Sequence, residues 1–235
     1  MEESDWSSDV CSSDLLDIET SQGIQSIGTD SSWRTKESCI TQVGGWGWAD
    51  MGGERWDDGK FIPNWNLASY NATTWPAAKE VAAPAVVHSW LALPGNRTGT
   101  PIPATRVFQS NGQWLIDFGT TLTGWIDLRL AGLTPGQQIT IDYADLVDQP
   151  DLMHMKDANG FQSFGQRDIF IAGSSATGRF RSRFNQHAFR YAVIGGLTSA
   201  PALTDAVALP VMTALEPAGS FECSNPLFNK IQDRK

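Results

Sequence analysis

Glu54, Asp57 and Asp58 stand with Trp56 and Trp65 in the stretch GGERWDDGKFIPNW. Carboxylates are hard oxygen ligands of the kind that calcium collects, about six to eight oxygens at a time. Indole rings offer flat apolar faces on which a sugar can rest. A loop with both could hold a calcium ion through Asp57 and Asp58 and a sugar against Trp56 or Trp65, with Glu54 as a further acceptor. The same residue types also spell a tight turn, Gly-Gly before and Asp-Asp-Gly after, with its acids in water. The residues alone leave both readings open.

Other acid pairs are Asp142 with Asp145 and Asp148 with Asp151. Two carboxylates can hydrolyse a glycosidic bond when held about 6.5–9.5 Å apart for inversion or about 5–5.5 Å apart for retention. Acids placed on one strand and the turn after it give no sign of that geometry, and these two pairs read as solvated turn residues. Nucleophilic machinery is missing from the sequence: it contains no G-x-S-x-G, no cysteine close to a histidine, no phosphate-cradling glycine loop and no zinc-type histidine pair. His88, His154 and His187 are scattered and read as structural.

The formal net charge of −9 argues against a nucleic-acid partner, which would need a basic face. Five of the acids, and no base, lie in residues 1–15. There the run DWSSDVCSSDL has neither helical nor strand periodicity and reads as a library adapter translated in frame. Residues 1–15 are therefore expected to stand outside the fold. Cys39 and Cys223 are too few and too far apart for a disulfide framework or a zinc knuckle. No apolar run approaches the roughly 20 residues of a membrane-spanning helix, so no membrane partner is expected. Seven of the ten tryptophans lie from Trp33 to Trp90, a density that suits both carbohydrate handling and the filling of β-sandwich cores.

The elements that must position these residues are strands. In LTGWIDLRL, Leu122, Gly124, Ile126, Leu128 and Leu130 alternate with Thr123, Trp125, Asp127 and Arg129, the pattern of a half-buried strand. GLTPGQQ then turns the chain, and Ile139, Ile141 and Tyr143 form a return strand expected to complete a hairpin. DIFIAG, RFRSRF and FRYAVIGG follow the same period, with Phe180 and Phe184 facing opposite to Arg179, Arg181 and Arg183. No sustained helical period occurs between residues 100 and 215, which predicts an all-β protein built as antiparallel sandwiches. The Pro- and Gly-rich stretch after VVHSW divides the chain into a first module, residues 16–99, and a second, residues 100–215. Residues 216–235 break the pattern. Ser224 or Asn225 can cap a helix that opens at Pro226, with Leu227, Phe228 and Ile231 on one face.

Seven segments in order, TDSSWR, GGERWDDGK, SYNATTWPAA, DFGTTLTGWIDLRLAGLTPGQQITIDYAD, RDIFIAG, HAFRYAVIGG and FECSNPLFNKI, resemble bacterial α-L-rhamnosidases of the large inverting family. The resemblance implies two β-sandwich (jelly-roll and concanavalin-like) modules. It further implies that FECSNPLFNKI enters the first helix of an (α/α)6 barrel, which in the family carries the catalytic carboxylates. By this resemblance the chain holds no catalytic residue, and its partners are a rhamnose-containing carbohydrate and the barrel in cis. Relatives of the first module include a calcium-dependent rhamnose-binding domain. Gly53, Glu54, Trp56, Asp57 and Asp58 match its motif, with Trp56 where tyrosine is usual. The resemblance thus implies carbohydrate contacts at Glu54, Trp56, Asp57, Asp58 and Trp65, and a calcium ion at Asp57 and Asp58, no cofactor being required for catalysis.

Overall fold

A computed structural model describes residues 15–45, 51–81, 94–110, 112–145, 166–216 and 219–233. Residues 1–14, the histidines His88 and His154, the pair Asp148 and Asp151, and VVHSW lie outside them. Strands β1 (Leu15–Thr20) and β2 (Gly23–Gly28) form a hairpin by themselves. Leu15, expected to stand outside the fold, is drawn into it by pairing with Gly28 at the open end of that hairpin.

All other strands share one curled sheet of eleven: β3 (Ile40–Val43), β4 (Gly53–Asp57), β5 (Asn96–Thr98), β6 (Ile102–Pro103), β7 (Arg106–Ser110), β8 (Gln113–Ala131), β9 (Gln138–Ala144), β10 (Arg167–Ile171), β11 (Thr177–Arg181), β12 (His187–Gly195) and β13 (Ala206–Thr213). Its main path runs β3-β4-β10-β9-β12-β8-β13-β5. The boundary near residue 99 is therefore no break in hydrogen bonding. Strand β4 pairs in parallel with β10, and β5 pairs with the far end of β13.

Strand β8 organises the sheet. Its first part pairs with β7 and β12, and its last part with β11 and β13. The switch falls near Gly119, which has a φ of 76°, and opposite a register shift between Phe189 and Tyr191. A glycine reaches that φ without a Cβ penalty, and a bulge curls a long strand. The expected β8–β9 hairpin does not form: β9 pairs with β12 and β10, because the Gly132–Gln137 turn carries the chain away from β8.

The alternation read in the sequence sets the core. Leu122, Gly124, Ile126, Leu128 and Leu130 are buried, and so are Ile139, Ile141 and Tyr143. They meet Phe118, Phe170, Phe180, Phe189 and Ile194 in one cluster. Phe184 departs from the pattern and is 77% exposed, since the strand alternation stops one turn earlier. Asp142 departs too. It is buried in β9, not solvated in a turn, and takes a bidentate pair from Arg167 at 2.6 and 3.0 Å. The terminal helix α1 (Pro226–Asp233) is capped by Asn225, whose Oδ1 accepts from the Leu227 amide at 3.0 Å.

Gly124 must be glycine because a Cβ there would lie 2.1 Å from the Leu209 carbonyl oxygen. Gly124→Ala is expected to cost about 3 kcal/mol or more by forcing β8 from β13, whereas Gly136→Asn, at φ 76° with open space around it, should stay within about 1 kcal/mol. Denaturant unfolding of both variants tests this.

Arg190 holds the Asp117 carboxyl below the usual carboxylate range, and Arg179 does the same for Asp127. A carboxyl whose folded pKa is depressed adds stability that is present above its unfolded pKa and is lost as pH falls through the folded one. Melting temperature is thus expected to drop below about pH 4, and Asp117→Asn with Asp127→Asn should flatten that limb. An unchanged acid slope in the double variant would refute it.

Candidate functional site

Strand β4 splits the acid-and-tryptophan stretch in two. Glu54 and Trp56 are two residues apart and share the covered side of the strand. Glu54 is only 3% exposed, and Trp56 packs on the core. Asp57 and Asp58 lie at and beyond the strand end, where a 3-10 turn covers Asp58–Lys60.

The Glu54 carboxylate is fully engaged. Its Oε1 accepts from the backbone amides of Arg183, Phe184 and Asn185 at 2.9, 2.5 and 2.6 Å, and Oε2 accepts from Arg183 at 2.9 Å. Three successive amides aimed at one carboxylate stop the chain from continuing as strand after Ser182. That is why Phe184 turns outward. Burial raises the Glu54 carboxyl above its usual range, with the three amides acting in the opposite direction.

The aspartates are occupied locally. Asp57 accepts from the Gly59 amide at 3.1 Å and pairs with Lys60 at 3.8 Å. Asp58 accepts from the Trp56 indole at 3.3 Å. Trp56 packs at a tilt against Phe61, centroids 5.5 Å apart, and Trp65 stands 56% exposed in a later turn. The five residues are thus not gathered around one point. Among the described residues no three His, Cys, Asp or Glu side chains are grouped to hold a metal ion. Asp57 has a lysine against it and Asp58 an indole, whereas calcium collects many converging oxygens.

Of the residues that do converge, the sequence marked Tyr143 as a strand position and His187 as structural, and singled out neither Asp168 nor Ser182. Asp168 on β10 is fully buried. Its Oδ1 accepts from the Glu54 amide at 2.7 Å, and its Oδ2 from the Tyr143 hydroxyl at 2.6 Å, from Ser182 Oγ at 3.1 Å and from His187 Nε2 at 3.1 Å. The Tyr143 and His187 rings stack at 4.0 Å. With Nε2 donating, Nδ1 of His187 is an acceptor that meets no partner among the described residues. Burial first, and then the negative Asp168, push the Tyr143 phenol well above its ordinary range.

Serine, histidine and aspartate in one cluster look like nucleophilic machinery, but the connectivity is wrong for it. Ser182 donates to Asp168 and not to the imidazole, and Ser182, His187 and Asp168 are all inaccessible to solvent. A triad needs the base on the nucleophile and a place for substrate. This cluster is a polar keystone. The sequence sign of it was polar residues at inward positions of β10 and β12 and just past β11.

The chain is in class a curled all-β sandwich whose buried carboxylates are paired internally. Residues 108–216 match the bacterial alpha-L-rhamnosidase concanavalin-like domain, and residues 2–98 match the alpha-L-rhamnosidase N-terminal domain. The chain belongs to the bacterial α-L-rhamnosidase family, of which it carries these two domains. It is 29% identical over 185 residues to an alpha-L-rhamnosidase of Formosa agariphila, a match covering 77% of this chain and 19% of that protein. The alpha-L-rhamnosidase of Dictyoglumus thermophilum superposes with a TM-score of 0.72 at 29% identity, covering 89% of this chain and 23% of that one. The Streptomyces avermitilis enzyme complexed with L-rhamnose shares the fold, with a TM-score of 0.75 at 20% identity, covering 93% and 21%. The chain thus spans about a fifth to a quarter of the length of these relatives.

Glu54→Ala is expected to cost about 2–4 kcal/mol by stranding three amides, and Glu54→Gln about half of that. Asp58→Ala should stay within about 0.5 kcal/mol, and added calcium should raise neither melting temperature. Hydrogen exchange at residues 183–185 reports the loss directly. Unchanged protection in Glu54→Ala, or stabilisation by calcium that Asp58→Ala removes, would reverse these roles.

Proposed function

We propose that this chain is the accessory, non-catalytic part of an enzyme that removes terminal α-L-rhamnosyl residues from glycosides or polysaccharides. The observation that carries the reading is the succession of two rhamnosidase-family domains along one hydrogen-bonded sheet, in relatives four to five times longer. The buried carboxylates support it. Glu54, Asp142 and Asp168 are each committed to amides, a guanidinium or hydroxyls inside the fold. None is free to take or give a proton at a sugar.

Inverting hydrolysis needs one carboxylic acid to protonate the leaving glycosidic oxygen and one carboxylate to take a proton from water as it attacks the anomeric carbon. In this reading both groups come from the larger remainder of the protein. The two domains here supply a rigid body against which that remainder is held, and carbohydrate containing rhamnose is the partner of the whole.

The purified 235-residue chain is expected to release no aryl alcohol from an aryl α-L-rhamnoside above a buffer blank, while the longer protein releases it with inversion at the anomeric carbon. Turnover by the chain itself would overturn the assignment of an accessory role, and a longer protein inert towards every rhamnoside would overturn the activity.

A further inference from the structure

The 183–185 turn presents a phenylalanine to solvent and is held in that posture from a distance. Phe184 is 77% exposed. The amides of Arg183, Phe184 and Asn185 all donate to the Glu54 carboxylate, 129 to 131 residues away in sequence. Glu54 is itself buried, and a buried carboxylate is costly unless its lone pairs are filled. The backbone under Phe184 is therefore fixed by the same bonds that let β4 enter the sheet. A mobile loop could fold such a ring back over the core, whereas this one holds it outward.

Two further apolar side chains stand exposed around the same turn. Asn185 Nδ2 donates to the Met51 carbonyl at 3.2 Å, and Met51 is 50% exposed. Arg183 lies over Trp56, 5.9 Å from its ring centroid, and Trp56 packs against Phe61, which is 41% exposed. Phe184, Met51 and Phe61 together leave on the order of 300 Å² of apolar surface in water. That area decides between occupants. A stable pair of separate molecules buries about 800 Å² on each partner, well beyond this patch. Domains of one polypeptide make do with about 600–1,500 Å² in all, about 300 Å² a side at the low end, because the tether already supplies a high effective concentration. This chain spans only about a fifth to a quarter of its relatives' length, so the larger share of such a protein is available to cover the patch.

We propose that Phe184, with Met51 and Phe61 at its rim, is the knob by which these two domains dock onto the rest of the longer protein, seated in an apolar hollow of that remainder. The inference rests on the reading of this chain as the accessory part of a larger enzyme, and it names the surface that the accessory part uses. Glu54 then has a second consequence. By fixing the amides beneath Phe184 it sets the knob before docking, so that little ordering is left to be done when the surfaces meet.

The test is hydroxyl-radical footprinting read by mass spectrometry, which reports the accessibility of each side chain. Phe184 and Met51 are expected to react readily in the 235-residue chain and about tenfold more slowly in the longer protein, as for an anchor at the desolvated centre of an interface. Phe184→Ala in the longer protein should restore the reactivity of Met51. The same substitution should leave the melting temperature of the 235-residue chain unchanged, since Glu54 binds backbone amides and not the ring. Equal reactivity of Phe184 in the two proteins overturns the proposal. So does protection that appears in the 235-residue chain as its concentration rises, which assigns the patch to a second copy, or on addition of L-rhamnose, which assigns it to carbohydrate. If the longer protein hydrolyses an aryl rhamnoside while its Phe184 stays reactive, only this inference falls. If Phe184 is protected and hydrolysis is absent, only the activity falls.

Discussion

The sheet depends on one buried carboxylate. Asp168 accepts from an amide of β4, the Tyr143 hydroxyl of β9, Ser182 just past β11 and the His187 ring of β12, so a single side chain ties four strands. Removing a carboxylate from water costs several kcal/mol, which is recovered only when its lone pairs are filled. Here four donors fill them. The reverse constraint is equally strong, because each donor is itself buried and would be stranded without Asp168. The strands therefore assemble together or not at all around this point.

That constraint reaches across the two family domains. Strand β4 belongs by sequence to the N-terminal domain, yet its Glu54 supplies both an amide to Asp168 and a carboxylate to the Arg183–Asn185 amides. Cutting the chain near residue 99 would expose the edge of β10 and leave Asp168 short of one donor and the 183–185 turn without its acceptor. The two sequence domains are thus joined by strand pairing of β4 with β10 and by the bonds of Glu54.

Much of the fold could be read from period two. The core face of β8 and the inward Ile139, Ile141 and Tyr143 follow from alternation alone, because one buried face leaves each strand a single acceptable register. Strand order could not be read this way, since alternation says which face is buried and nothing of which neighbour lies beside it. The misplaced β8–β9 hairpin is of that kind. Phe184 shows a second limit: its outward turn is set by Glu54, 130 residues away. The Asp168 cluster was hidden because single polar residues at inward positions look like flaws in a pattern until their partners from other strands are known.

The 53–58 motif illustrates why matching residue types is weaker than matching geometry. A Cβ at Gly53 would fall 1.8 Å from the Arg167 carbonyl oxygen and 2.6 Å from Asp168 Oδ1, so only glycine lets β4 approach β10 closely enough for the Glu54 amide to reach Asp168. Gly53 and Glu54 are in this chain a folding signal, directed inward. Trp56 packs against Phe61 and lies under Arg183, whose guanidinium is 5.9 Å from its ring, so it serves the same packing. Asp57 and Asp58 remain near the surface, shaping the turn that follows. A ligand site at this motif would need the outward half to recruit oxygens from elsewhere, because the inward half is held by the requirement that keeps the sheet together.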